Sequence, residues 1–207
     1  EAVTTKTDKV YNTTEQTGVT GTNVTLTGDV KATNVGEYTA KATPIDNYAW
    51  EDGTFAEKEI KWNITGFDIS SAIVSDIADY NYSGSAIRPT PTVTVNINGA
   101  DRQLDSQTDF DYSYPENINP TDKANVIVTG KGNYTGSTNK NFMIKPKVTF
   151  DNNSGTGTMN DQFVKYNIDT ALSENAFTKT GYSFAGWNTK ADGTGTSYND
   201  KANVKFT

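Results

Sequence analysis

Apolar and polar side chains alternate one by one through the longest patterned stretches of the chain, and this alternation limits what the chain can fold into. Tyr38, Ala40 and Ala42 alternate with Glu37, Thr39 and Lys41, and Ile60, Trp62 and Ile64 alternate with Glu59, Lys61 and Asn63. Further along, Val93, Val95 and Ile97 alternate with Thr94 and Asn96, and Ala124, Val126 and Val128 with Asn125 and Ile127. A period of two places one set of side chains on a buried face and the other in water, which is the pattern of a half-buried strand. Ile127 breaks strict alternation and points to a strand covered on both sides there. The many threonines suit such strands, because a β-branched side chain is stiff at χ1 and fits a pleated surface. Helical periodicity is almost absent, so a mainly β chain is expected.

The last third carries a hairpin pattern. Tyr182 and Phe184 fall on one face of an expected strand, Trp187 follows Gly186, and Asp192-Gly193 is a strong tight-turn signal. With Trp62 and Phe142, these rings are expected in the core. The run Gly181-Tyr182-x-Phe184-x-Gly186-Trp187 follows VTFDNNSGTGTM at 148–159 and precedes Gly193-Thr194-Gly195-Thr196-x-Tyr198. It resembles the Listeria-Bacteroides repeat, the internalin B-repeat family of bacterial surface proteins. The resemblance implies an extracellular or cell-wall location and a small β-grasp-like α+β domain with strands curled around a short helix. The helix candidate is 169–176, with Asp169 or Thr170 as cap and Glu174 in the first turns. The family's closing strand, which usually ends in an aromatic, is not evident after Lys201. Either Val204 to Phe206 supplies it or the sequence stops short of it.

Residues 1–145 contain an internal repeat. Tyr11-Asn12 with Gly18 matches Tyr82-Ser83-Gly84 at an offset of 71; Asp46-Asn47-Tyr48 matches Gly132-Asn133-Tyr134 at 86; Trp62-Asn63-Ile64 matches Phe142-Met143-Ile144 at 80. A drifting offset indicates two homologous units with loop insertions rather than a rigid solenoid. The runs at 82–93, 108–114 and 130–144 resemble the Ig-like tandem modules of large bacterial surface proteins, and those at 36–43 and 47–54 resemble a sister module. The expected architecture is therefore two small Ig-like β-sandwich domains, 1–65 and 66–145, followed by the β-grasp-like domain 146–207. Thr65-Gly66 and Lys145-Pro146 are very short joints, and proline fixes φ at one of them, so a stalk-like string is expected.

Composition narrows the function. Among 207 residues there are 18 basic and 25 acidic side chains, for a net charge of -7. No third of the chain is basic, which argues against nucleic acid or an anionic membrane as partner. No apolar run approaches the ~20 residues that cross a bilayer, so membrane insertion is not expected. Glu1 does not begin a signal peptide, and the chain reads as a monomeric piece of something longer. With neither cysteine nor histidine, disulfides, thiolate metal sites and the usual general base are all missing.

Other motifs reduce to turns. Asp101, Asp105, Asp109 and Asp111 lack the spacing and the glycine of a calcium loop, as does 151–155, so no metal site is expected. Glycine pairs such as Gly193 and Gly195 lack the helix and lysine of a phosphate cradle, which leaves no cofactor to expect. Small sheet-built domains offer little scaffold for a two-carboxylate cleft, so no catalytic residues are assigned and the chain is read as non-enzymatic. Tyr48 and Trp50, in a loop with Asp52 and Gly53, are the candidate ligand-binding residues, set against a reading in which they plug the end of a sandwich. The expected role is a spacer and adhesion module meeting a host protein or glycan. The alternative is a carbohydrate-binding accessory region of a larger secreted hydrolase.

Overall fold

A computed structural model describes residues 1–207. Every regular element is a strand and no helix is present, so the chain is mainly β, as the alternation predicts. The chain divides into two compact units. One comprises Glu1–Ser75, Pro91–Ser113 and Ile127–Asn139, and the other Asp76–Thr90, Tyr114–Val126 and Lys140–Thr207.

The first unit is built on an antiparallel meander of Val24–Gly28, Gly36–Pro44 and Lys58–Thr65. Lys9–Val10 joins its edge in parallel, opposite Ile64 and Thr65. Tyr38 stands across from Trp62 and Ala40 across from Ile60. The alternation read from the sequence sorts these strands: Ala40, Ala42, Trp62 and Ile64 are all but inaccessible, while Glu37, Glu59 and Lys61 face water. The Trp62 indole lies against the backbone at Gly18, where a Cβ would fall 1.9 Å from the ring. Its Nε1–H donates to the Asp29 carbonyl at 2.6 Å. The unit also holds Ile73–Val74, Val93–Ile97 and Ala100–Gln103 as an antiparallel trio, and Phe110–Ser113 antiparallel to residues 127–130.

In the second unit Tyr80–Asn81 lies parallel to Ile144 and Lys145, with Tyr80 edge-on to Phe142 at 5.6 Å. Residues 146–207 contain only two-residue strands. Lys147–Val148 pairs with Gln162–Phe163, Thr170–Ala171 with Asn203–Val204, and Trp187–Asn188 with Ser197–Tyr198. An isolated parallel bridge also joins Tyr166 and Phe206. Val164 and Leu172 are the buried aliphatics here.

Two expectations in this segment are corrected. Residues 169–176 form no helix, because their backbone donors are taken by other parts of the chain. Leu172 N–H donates to the Ala202 carbonyl at 2.9 Å, Ser173 N–H to Gln162 Oε1 at 2.9 Å and Asn175 N–H to Asp200 Oδ1 at 2.9 Å. A helix of eight residues has too little cooperativity to outcompete such partners. Tyr182 and Phe184 are not core: they are 74% and 43% exposed and belong to no strand. A turn closed by Tyr182 N–H to the Lys179 carbonyl precedes them, and Gly186 follows at φ +145, where a Cβ would come within 2.7 Å of the Tyr198 carbonyl. The hairpin therefore starts at Trp187, with its turn at 190–193 as the Asp192-Gly193 pair predicts.

The internal repeat appears as repeated hydrogen bonds. Tyr11 N–H donates to the Thr65 carbonyl at 2.9 Å, and Tyr82 N–H to the Lys145 carbonyl at 3.0 Å. Ala2 N–H donates to the Ala49 carbonyl at 2.8 Å, and Ile69 N–H to the Thr135 carbonyl at 2.9 Å. The first two bonds are offset by 71 at the donor and 80 at the acceptor, and the second two by 67 and 86, so that 71, 80 and 86 recur from the sequence. Drift in the offset is thus the signature of loops of different length on one strand plan.

Tyr134 is 3% exposed and sits edge-on to Tyr11 at 5.4 Å and Phe67 at 6.3 Å. Its hydroxyl is shut away from water with no partner in full hydrogen-bond geometry, and burial pushes the phenol up to about 12. Because the folded value lies above the unfolded value of ~10, this contribution to stability is complete below pH ~10 and is lost as pH rises toward about 12. Tyr134→Phe is expected to stay within about 1 kcal/mol of the wild type below pH 10. It should also flatten the alkaline loss, measured as urea midpoints at pH 9 and pH 11.5. An alkaline loss of the same slope in both chains would refute the assignment.

Candidate functional site: an aromatic groove in the C-terminal segment

Short strands and tight turns leave the rings of residues 146–207 incompletely covered. Phe150 follows the strand Lys147–Val148, Phe177 precedes the Thr156 to Thr178 bridge, and Trp187 opens the hairpin. Trp187 is the hub: its ring centroid lies 4.9 Å from Phe150, 4.9 Å from Phe184 and 6.1 Å from Phe177. Around these rings opens a groove of ≈ 1060 Å³ that Tyr182 and Tyr198 also line. The Trp187 indole N–H is buried without a partner. The Lys179 ammonium lies 5.1 Å from the Tyr182 ring centre, a cation–π distance.

Asn188 fixes the hairpin wall. Its Nδ2 donates to the Gly193 carbonyl at 3.1 Å, the Gly195 carbonyl at 3.2 Å and Ser197 Oγ at 3.0 Å. Its Oδ1 accepts from the Lys190 and Gly195 amides at 2.9 and 3.0 Å. Asp192 caps the turn through Thr194, whose backbone and side-chain hydrogen bonds lower the Asp192 pKa. Asn188 and Asp192 thus hold the turn in shape. The chemistry left to the groove is that of aromatic faces, with Lys179, Lys190 and Lys205 also among the residues that line it.

Tyr48 and Trp50, adjacent in the sequence reading, are separated by burial. Trp50 is 7% exposed and clusters with Ala2 and Ala42, flanked by Val24, Leu26 and Ile60. Its Nε1–H donates to the Ala56 carbonyl at 2.8 Å, and the Lys58 ammonium lies 4.8 Å from its ring centre. Tyr48 is 36% exposed. Between them and Lys58, Asp52 accepts from the Thr54 hydroxyl and amide and from Lys58, which together lower its pKa to about 2.

Asp105 and Asp109 fall between the strands Ala100–Gln103 and Phe110–Ser113, which carry Asp101 and Asp111. Asp105 Oδ1 accepts Gln107 N–H at 2.8 Å and the Asp105 carbonyl accepts Asp109 N–H at 2.8 Å. Asp151 Oδ1 accepts Asn153 N–H at 2.7 Å. No cluster of three acidic side chains arranged to hold a metal ion is present.

Phe150, Phe177 and Tyr198 went unassigned in the sequence reading, and the groove with them. The usable signal was the pair Gly181 and Gly186, which interrupts a strand on both sides of Tyr182 and Phe184 and so lifts those rings off a buried face.

Residues 147–207 match the family model of the Listeria-Bacteroides repeat domain. That repeat is typical of bacterial surface proteins. No curated protein and no solved structure matches the chain.

Proposed function

We propose that the chain is a non-enzymatic stretch of a bacterial surface protein, serving as spacer and adhesion module, with 1–65, 66–145 and 146–207 as three tandem modules. The aromatic groove carries this reading: a repeat typical of surface proteins bears rings that its own fold leaves uncovered. The spacer half is supported by the strands that follow each expected joint. Phe67–Asp68, just past Gly66, pairs with Tyr134–Thr135, and Lys147–Val148, just past Pro146, pairs with Gln162–Phe163. A residue committed to a ladder that close to a joint leaves little slack chain there.

The adhesion half is tested on arrays of glycans and of extracellular-matrix proteins. Saturable binding is expected, weakened about tenfold or more in Tyr182→Ala with Phe184→Ala, since tenfold corresponds to about 1.4 kcal/mol and each aromatic contact supplies an appreciable part of that. Trp187 is left intact to keep the groove's shape. Blank arrays, or binding that the double variant retains, would remove the adhesive role. Capture of glycans alone would favour the reading as a carbohydrate-binding accessory region, with the contact at the groove rather than at the buried Trp50.

A further inference from the structure

Asn98-Gly99 is the one place in the sequence where glycine directly follows asparagine. The pair forms the two-residue turn between Val93–Ile97 and Ala100–Gln103, with Ile97 opposite Ala100. Both residues have positive φ, 54° at Asn98 and 84° at Gly99, as a type I′ turn requires. Both are exposed, and a Cβ at Gly99 would meet nothing within 4 Å. Asn153, also at positive φ and followed by serine, has its side-chain amide tied to the Ala191 carbonyl at 3.1 Å. No such bond holds the amide of Asn98, whose neighbourhood bonds run instead through Asn96.

A pair of this kind reacts with itself. The Gly99 backbone nitrogen attacks Asn98 Cγ and closes a cyclic succinimide, while the side-chain nitrogen departs as ammonia and takes the Gly99 amide proton with it. Glycine favours this step because it has no Cβ to crowd the attacking nitrogen. Water then opens the ring at either carbonyl. Opening at Cγ leaves aspartate in an ordinary chain; opening at the Asn98 backbone carbonyl leaves isoaspartate, with the main chain rerouted through Cβ and Cγ. The fold restrains the attacking nitrogen. Gly99 N–H donates to Asn96 Oδ1 at 3.1 Å. Asn96 is held in turn by its Nδ2, which donates to Asp101 Oδ1 at 2.7 Å across the ladder. Attack requires the Gly99 nitrogen to give up its proton, and a hydrogen bond made by the neutral form opposes that loss.

We infer that Asn98 is a self-modification site, deamidating through the Gly99 nitrogen at a rate that Asn96 sets in the folded chain. The reaction consumes only water and leaves a permanent mark on one hairpin. Isoaspartate adds a backbone atom to a turn whose length fixes the register of Val93–Ile97 on Ala100–Gln103. Either product adds a carboxylate beside a ladder that already carries Asp101. The strand leading into the turn holds Val95 and Ile97, 4% and 6% exposed, so a turn that no longer matches its strands loosens core packing. The inference does not depend on the groove or on adhesion, and blank binding arrays would leave it untouched.

The test incubates the full chain at mildly alkaline pH and follows each asparagine by peptide mapping that separates aspartate from isoaspartate. Asn98 is expected to convert ahead of every other asparagine. Asn96→Ala should speed its conversion about three- to tenfold, the worth of one ordinary hydrogen bond. Asp101→Asn removes a charge but keeps an acceptor for Asn96 Nδ2, so it should stay near the wild-type rate. In urea, where the turn is lost, wild type and Asn96→Ala should convert at one rate. The purified isoaspartate form should show faster amide exchange over 93–103 than Asn98→Asp, which gains the charge without the extra backbone atom. Conversion led by another asparagine would overturn the inference. So would an unchanged rate in folded Asn96→Ala, an acceleration matched by Asp101→Asn, or one that persists in urea.

Discussion

Trp62→Ala is expected to lower stability by about 3–5 kcal/mol, the range for deleting a large aromatic from a packed core. Trp62 is 2% exposed. One face of the indole meets Tyr38 at 4.9 Å between centroids and 31° between planes. Gly18 presses on the ring so closely that any side chain there would overlap it. The substitution would leave a cavity bounded by backbone, which relaxes little, and would strip the Asp29 carbonyl of its indole donor. Trp62→Phe, which keeps a ring but not the N–H, should cost less, with about 1 kcal/mol of its loss belonging to the hydrogen bond. Gly18→Ala approaches the same contact from the other side. Its φ is not in the left-handed region, so the penalty is steric, about 1–3 kcal/mol or more. Gly18→Ala should cost less in a Trp62→Leu background than in the wild type, because residues in contact are not additive. Urea midpoints for the four chains test this, and equal costs in the two backgrounds would show that the two residues do not share the contact.

What was legible in the sequence follows from which forces are local. Alternation is set by the geometry of a strand, so the faces of Gly36–Pro44, Lys58–Thr65 and Val93–Ile97 could be assigned residue by residue, and Trp62 and Phe142 fell where expected. The repeat was legible because Tyr11, Asn47, Tyr48 and Ile64 and their counterparts keep equivalent places on one strand plan. Asp192-Gly193 fixed its own turn, since the left-handed conformation of Gly193, φ 79, is a local property. The C-terminal segment was less readable for the opposite reason. Its strands are two residues long, so periodicity has nothing to act on, and long-range donors and acceptors decide the backbone at 169–176. Tyr182 and Phe184 look like a strand face only if the glycines beside them are ignored. The groove lies beyond a linear reading, because Phe150, Phe177 and Trp187 meet only through pairings widely separated in sequence. Trp50 is a related case: its loop is polar, but its indole packs among Ala2, Ala42 and Leu26, which come from three separate parts of the chain.

Asn117→Ala is expected to cost about 2–4 kcal/mol, which is large for an amide that lies outside every strand. Asn117 is 2% exposed and is the one polar residue among the buried set. It lies between Pro115 and Pro120, neither of which has an N–H to offer a ladder. The Asn117 side chain stands in for the missing strand: Nδ2 donates to the Asn125 carbonyl at 2.7 Å, and Oδ1 accepts Asn125 N–H at 3.2 Å. The Asn117 backbone carbonyl meanwhile accepts Ile87 N–H at 2.9 Å. Truncation to alanine leaves both peptide groups of Asn125 unpaired beside the buried Ala124 and Val126, and an unsatisfied buried group carries its full desolvation penalty. Asn117→Asp sharpens the test, because the ionised carboxylate keeps the acceptor but turns a second oxygen toward the Asn125 carbonyl. Burial and that carbonyl would raise the carboxyl pKa above its unfolded value of ~3.9. The variant should then be closest to wild-type stability below pH ~4 and lose ground as pH rises through the raised value. Asn117→Ser should show no such pH dependence. Urea midpoints at pH 3.5 and pH 7 decide between this and a merely space-filling asparagine, for which the Asp and Ser variants would change with pH in the same way.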